Sequence, residues 1–451
     1  MTENLKDNLR SARIGKLDMN RNILMLCYYF PPLTDVGSKR SVAFSKYFKK
    51  YGWNPYVLSV KNPDKGYCSV GNDQPPEGVT TEYSYSVINL SRLVGRLNGV
   101  LSRLLGLIRI KVKRNYFYLL FCIPDQFWGW IPLTTLKGLK LIKYHKIDMI
   151  YVSCMPLSSG VSALLLKFMT GKPLILDFRD PFGIERVFSI LDVPKFRRKI
   201  ERSLLKLFLK YTDIFIVNND ETRKIYIQEY PEAKDKIFSV HNGFESGYMI
   251  QKGMEKYRKF TIVYTGEFYF YALEAETFFQ AIALLKQKGK ISQDTFQFLF
   301  YGDGKSEIER IAKKYDITDL VITSSRVPYK AVLEVMSKSH LQLLRIVKPM
   351  ISTKLFEGIP LNIPFLATIP HGEVEEIIHT YSPSSFVVTE ESPEKISEAI
   401  LGAVAKYENN EIKDNYVEEF LKRFSRESLT LELIKIIENH LNSRGPCVEN
   451  N

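Results

Sequence analysis

The sequence predicts an α/β protein made of two doubly wound parallel sheets, one after the other. Three observations predict it. Short uncharged apolar runs recur as buried parallel strands do. Amphipathic stretches fall between them. The whole rhythm then restarts after a polar, glycine-bearing segment, NGFESGYMIQKGMEKYRK, beginning at Asn242. At 451 residues the chain is also too long for one ordinary core, so two domains of roughly 200 residues each are expected.

The elements follow in order. Asn22 to Tyr28 (NILMLCY) reads as a first strand, the loop YFPPLTDVGSKR follows, and a helix runs from about Ser41 to Tyr51. Asn54 to Val60, Asp148 to Ser153, Pro173 to Asp177, Asp213 to Asn218 and Ile237 to Val240 read as further strands, with a helix around Val161 to Met169. This is the βαβ pattern of a doubly wound domain. The second series is Phe260 to Tyr264, Phe296 to Tyr301, Leu320 to Thr323, Leu341 to Leu344 and Phe365 to Ala367, with helices over Glu274 to Lys288 and Glu307 to Lys314. A last helix spans Ser428 to Leu441. The expected division is a tail over 1–20, a first domain over 21–243, a second over 258–415, and C-terminal helices over 416–442.

Composition narrows the function. Apolar residues at 45% and charged residues at 25% describe a folded chain, not a disordered one. Five cysteines without CxxC spacing point to a reducing compartment and away from structural zinc. Six histidines without an HxxxH or HExxH pair give no histidine metal centre, so no metal is expected. The first twenty or so residues are polar, without the apolar core of a signal peptide. The greasy stretch Asn115 to Thr134 is interrupted by Pro124, Asp125 and Pro132. A membrane span needs about 20 consecutive apolar residues, so none is expected there. A net charge of +13 asks for an anionic partner.

Five motifs carry chemistry. Gly37-Ser38-Lys39-Arg40 follows the first strand, where loop amides and a helix N-terminus point at an anion; an ordinary strand–helix turn fits it equally. Asp177-Phe178-Arg179-Asp180-Pro181 closes a strand at its carboxyl end, where open α/β sheets bind ligands. Its two carboxylates can orient sugar hydroxyls, or form a structural Asp–Arg pair. Thr265-Gly266-Glu267 and Tyr301-Gly302-Asp303-Gly304 are glycine turns at strand ends. Ser352-Thr353-Lys354-Leu355-Phe356-Glu357 is the densest cluster. Ser352 or Thr353 can cap a short helix whose amides face an anion, Lys354 adds a positive charge for a diphosphate, and Glu357 can accept from a ribose diol. Pro360 ends that helix early. A surface helix with a Lys–Glu pair is the competing reading.

Taken together, YYFPPLTDVGSKR, LILDFRDPF, VHNGF and TKLFE resemble, in order and spacing, the family-4-type retaining glycosyltransferases of the GT-B fold. The match spans residues 23 to 370. The resemblance implies two Rossmann-like domains facing a cleft, with the C-terminal helix returning to the first domain. It also implies transfer of a sugar from a nucleotide-sugar donor, with retention, to a glycan or lipid-linked acceptor in bacterial cell-surface polysaccharide synthesis, with no metal or other cofactor. By position, Gly37 and Ser38 would lie beside donor phosphates or acceptor, and Arg179 and Asp180 would face the transferred sugar. Gly266 would face the diphosphate, Glu267 would be among the donor-binding residues, and Arg326-Val327-Pro328 would hold the base. Ser352, Thr353 and Lys354 would grip the diphosphate and Glu357 the ribose. Catalysis would rest on Asp180, Arg179 and Lys354, through charge stabilisation of the departing phosphate. The sequence departs from the family in two places. The first of its two glutamates falls at Pro349, and its arginine–lysine pair is not evident near Gly266.

The positive charge concentrates between Glu82 and Asp125, where Arg92, Arg96, Arg103, Arg109, Lys111, Lys113 and Arg114 stand without an acid. On a helix, Arg92, Arg96 and Arg103 fall within roughly 40° of one another, opposite Leu90, Leu93, Val94, Leu97, Val100, Leu101, Leu104 and Leu105. This amphipathic pattern and the aromatics up to Phe121 suit an anionic membrane surface, or a helix packing its leucines on the core. Residues 90–121 thus predict a cytoplasmic enzyme docked peripherally on a membrane. Charge confined to one segment argues against a nucleic-acid groove. A nucleotide-sugar epimerase and a non-catalytic nucleotide-sugar binder are the alternatives. A dehydrogenase is disfavoured, because no GxGxxG follows the first strand.

Overall fold

A computed structural model describes residues 21–33, 36–64, 68, 70–88, 90–107, 116–190, 193–248, 254–268, 276–346 and 350–443. The expected tail over 1–20 lies outside the described residues. Among the described residues the strands form two parallel sheets. The first holds β1 (Asn22–Leu26), β2 (Asn54–Val60), β3 (Thr80–Ser84), β4 (Met149–Cys154), β5 (Leu174–Phe178), β6 (Ile214–Val217) and β7 (Ile237–Ser239), in the order β3-β2-β1-β4-β5-β6-β7. The second holds β8 (Phe260–Thr265), β9 (Phe296–Tyr301), β10 (Val321–Ser324), β11 (Leu341–Arg345), β12 (Phe365–Thr368) and β13 (Phe386–Val388), in the order β10-β9-β8-β11-β12-β13. Contacts divide the chain into two units. One runs to Arg179 and takes in Ser203–Phe215 and the chain from Ile437; the other is Asp180–Arg202 with Ile216–Ile436.

The central strands are buried along nearly their whole length, as their apolar runs require. β4, β5 and β8 have no partly exposed residue. Parallel register sets Leu24 against Tyr56 on one side of β1 and against Ile150 on the other. The second sheet is covered on both faces. Ile262, Tyr264, Leu341 and Leu343 pack with helices Thr277–Gln287 and Pro393–Glu408. Leu344, Phe365 and Ala367 pack with helices Thr353–Gly358, Glu373–Tyr381 and Val417–Phe424. In each sheet the order reverses once, between β1 and β4 and between β8 and β11. Such a reversal opens a crevice at the strand carboxyl ends.

Three differences from the sequence reading bear on the site. β1 ends at Leu26, so Cys27 and Tyr28 are buried without belonging to the strand. The first helix begins at Val36, not Ser41, so Gly37-Ser38-Lys39-Arg40 is its opening turn and not a loop. Strands β3 and β13 were not anticipated, because polar TTEYS and three-residue FVV are weak apolar signals.

Candidate active site

At the first reversal the residues expected to meet a ligand are engaged with the protein itself. Asp177, on β5, is fully buried. Its carboxylate accepts from Arg40 Nε at 2.8 Å and Nη2 at 3.1 Å, and from Tyr151 Oη at 2.5 Å. Arg40 reaches it from the first turn of helix Val36–Lys50. Burial penalises the guanidinium, yet Asp177 and Tyr151 hold its pKa above the ordinary value. The Asp–Arg pair is therefore structural, but the arginine is Arg40, not Arg179.

Arg179 donates to the Met155 carbonyl at 2.5 Å and lies over the Tyr29 ring at 5.4 Å. Its Nη1 occupies the place a Cβ on Gly37 would take. The backbone at Gly37 is thus covered by this chain's own guanidinium. Ser38 is buried, and Asp180 is exposed.

The second reversal is built differently. Gly266 follows β8 with φ +92°, a conformation that glycine adopts without strain. Its amide donates to Tyr301 O at 2.7 Å. Gly302, at the end of β9, must be bare, since a Cβ there would overlap the Gly266 carbonyl. Opposite, Ser352 is the N-cap of helix Thr353–Gly358 and accepts from Lys354 N at 3.3 Å. Lys354 Nζ lies 4.7 Å from the Tyr264 ring centroid and 3.6 Å from the place of a Gly266 Cβ. Desolvation lowers the Lys354 pKa, while Glu357 and Glu267 draw it back up. The helix is not a surface helix, because Leu355, Phe356 and Gly358 are buried.

Glu357 accepts from Tyr329 Oη at 2.8 Å, which fixes one of its carboxylate oxygens. Glu267 is exposed, and its carbonyl accepts from Tyr264 Oη at 2.7 Å. Arg326 is exposed and ion-paired with Asp303; Val327 is half-buried beside it in sequence. The structure therefore gathers Gly266, Gly302, Ser352, Lys354 and Glu357 about one strand reversal, with Thr353 opening the helix between Ser352 and Lys354. Sequence reasoning missed Tyr264 and Tyr329, which carry Lys354 and Glu357; an aromatic inside a strand or helix run gives no sign of that task. Position 349, where the family's first glutamate was looked for, lies outside the described residues.

Among the described residues, Asp220, His241 and Glu373 place potential metal-ligand atoms within 4.8 Å of one another. His241 Nε2 is hydrogen-bonded to Glu373, whose other oxygen accepts from Glu221 N at 3.0 Å. Ser239 hydrogen-bonds to Asp220. None of these residues belongs to the strand-reversal sites.

Two family models match the chain in sequence: Glycosyltransferase Family 4 over residues 106–246, and Glycosyl transferases group 1 over residues 259–406. This chain is a glycosyltransferase. No curated protein matches it by sequence. Among solved structures, the glycosyltransferase resembles a glycosyltransferase from Rickettsia africae ESF-5, at 14% identity and TM-score 0.62, over 94% of this chain and 99% of that one. It also resembles Anabaena Alr3699/HepE in complex with UDP and glucose, at 12% identity and TM-score 0.62, over 93% and 100%. A Listeria monocytogenes protein described as a putative UDP-N-acetylglucosamine 2-epimerase is similar at 11% identity and TM-score 0.54, over 94% and 97%. These likenesses establish the GT-B fold class, with its two Rossmann-like sheets, for this glycosyltransferase.

Proposed function

We propose that this glycosyltransferase takes a sugar from a nucleotide-sugar donor, UDP-linked in the first instance, and passes it to a glycan or lipid-linked acceptor of the cell surface. One observation carries the reading: at the β8/β11 reversal, a bare glycine backbone, a capped helix N-terminus and the Lys354 ammonium come together. Amides and ammonium there suit a diphosphate, whose negative charge grows as the sugar leaves. Glu357, which accepts from Tyr329, takes the ribose hydroxyls in this reading. Lys354 and the amides supply the electrostatic stabilisation, so turnover in this reading needs no metal; retention is what the resemblance to family-4-type glycosyltransferases implies. The HepE structure's bound UDP and glucose supports the choice of nucleotide.

The test is titration calorimetry with UDP, GDP and UDP-glucose, followed by turnover assays in chelator with NMR of the product anomer. No binding of any nucleoside diphosphate would sink the reading. The epimerase-like neighbour favours one alternative, a free sugar nucleotide altered without acceptor. Donor incubated alone separates the two.

Peripheral docking on an anionic cytoplasmic membrane face belongs to the same proposal. Among the described residues of helix Leu90–Leu107, the fully buried apolar side chains are Leu90 and Val94, which cluster with Cys122. Leu93, Leu97, Val100 and Leu104 remain exposed on it, the last at 58%, as do Leu120 and Phe121. Arg96 and Arg103 are exposed on the same helix. Exposed apolar side chains interleaved with cations suit acyl chains beneath anionic headgroups. Arg109, Lys111, Lys113 and Arg114 lie outside the described residues, as do the side chains of Arg92 and Leu105. Among the described residues no helix is long and apolar enough to cross a membrane. Flotation with phosphatidylglycerol liposomes at low salt tests the docking, and absence of binding ends it.

A further inference from the structure

A second cation stands at the β8/β11 reversal. β11 ends on Arg345, whose side chain is only 10% exposed. Its guanidinium carbon lies 5.0 Å from the Phe268 ring centroid. The Phe268 ring lies 5.0 Å from that of Tyr264, and the Tyr264 ring carries Lys354 Nζ at 4.7 Å. Two adjoining rings, one just before the Gly266 turn and one just after it, thus each hold a cation. Aromatic faces steady a positive charge without neutralising it.

Charge and shape point the same way. A nucleoside diphosphate brings two phosphates and more than one negative charge, whereas Lys354 brings one ammonium, which burial already disfavours. A compact ammonium and a planar guanidinium fork are complementary tools, the fork being suited to two oxygens of one phosphate. Arg345 Nη2 also lies 3.2 Å from Glu391 Oε1, on the segment leading to helix Pro393–Glu408. A carboxylate at that distance holds the fork in place and competes with an incoming phosphate.

We propose that Arg345 is a second donor-binding residue, gripping the diphosphate together with Lys354 and exchanging Glu391 for phosphate when the donor binds. The inference rests on the reading of this reversal as the donor site. Calorimetry with UDP and GDP, each beside its parent nucleoside, tests it in the full chain.

In Arg345→Ala, the affinity for the nucleoside diphosphate should fall at least tenfold while that for the nucleoside stays the same. Arg345→Lys should recover part of the loss. Arg345→Ala leaves Glu391 without this cation, so Arg345→Ala/Glu391→Ala, which removes both charges, is the folding-safe variant and should show the same selective loss. Unchanged diphosphate affinity in the folded double variant overturns the proposal, as does an equal loss for diphosphate and nucleoside. Lys354→Ala keeps the two readings apart. If it weakens diphosphate binding and the Arg345 variants do not, only the role of Arg345 fails. If neither weakens it, the donor site itself is wrong.

Discussion

The two sheets reach their reversals by the same route and treat the glycine there in opposite ways. In the first, Gly37 opens a helix and its bare face is filled by Arg179, which is itself tied to Met155 O and Tyr29. In the second, Gly266 lies 3.6 Å, at its missing Cβ, from a lysine that desolvation makes a reluctant cation. A guanidinium already resting on the backbone shields it from an incoming phosphate. An ammonium whose charge burial disfavours gains from a phosphate arriving. The difference teaches that a glycine turn at a strand end marks a possible anion site, and that the neighbouring cation's own contacts decide whether the place is open.

Four outcomes would break or sharpen that contrast. The largest concerns the first sheet. Asp177→Ala leaves Arg40 buried without its carboxylate and should cost about 3–5 kcal/mol in denaturant unfolding. A loss below about 1 kcal/mol would mean that the pair does not anchor the first reversal. Next comes Gly302→Ala, whose Cβ would overlap the Gly266 carbonyl; backbone cannot swing aside, so about 1–3 kcal/mol of stability should go, and donor affinity with it. Wild-type donor affinity in Gly302→Ala would show that the Gly266 turn does not touch donor.

Third, Lys354→Ala should lower turnover tenfold or more, about 1.4 kcal/mol, with the unfolding midpoint nearly unchanged. The same lysine sets a pH dependence. A bound diphosphate favours the protonated amine, and the free protein's Lys354 pKa is below the ordinary 10.5. Donor affinity should therefore weaken as pH rises through that lowered pKa, and the slope should vanish in Lys354→Ala. A calorimetric pH series reads it; the same slope in both proteins would assign it elsewhere. The smallest effect is expected for Gly37→Ala. Its new methyl meets the end of a flexible arginine, not backbone, so stability should change by under about 1 kcal/mol as Arg179 swings away. A large loss would show that Arg179 cannot leave, and would make the first reversal a closed structural joint.

The legible parts of this fold were those with a local signature. Phe296–Tyr301 was read to the residue, because five apolar or aromatic side chains in six positions, with burial on both faces, leave little choice of element. β3 escaped because an edge strand is only half-covered, and TTEYS carries that half-coverage as polar side chains. The early start of the first helix escaped because Ser38, Lys39 and Arg40 show no amphipathic period, although Arg40 turns inward to an acid 137 residues away. In the candidate site, the Ser352 cap and the Lys354–Glu357 spacing were local and readable. Arg345 was not, because a cation at the end of an apolar strand looks like an ordinary exit to solvent until Phe268 and Glu391 are seen around it.

By itself, then, the sequence determined two α/β halves, the turns that end their strands, and the short capped helix with its lysine. Each of these is decided by residues within a turn or two of one another, where propensity, periodicity and capping act. Tertiary structure alone decided which arginine neutralises Asp177, which cation covers Gly37, and which rings carry Lys354 and Arg345. Those pairings join strands and helices far apart in the chain, and the energy of burying a charge is settled only by what the fold brings against it.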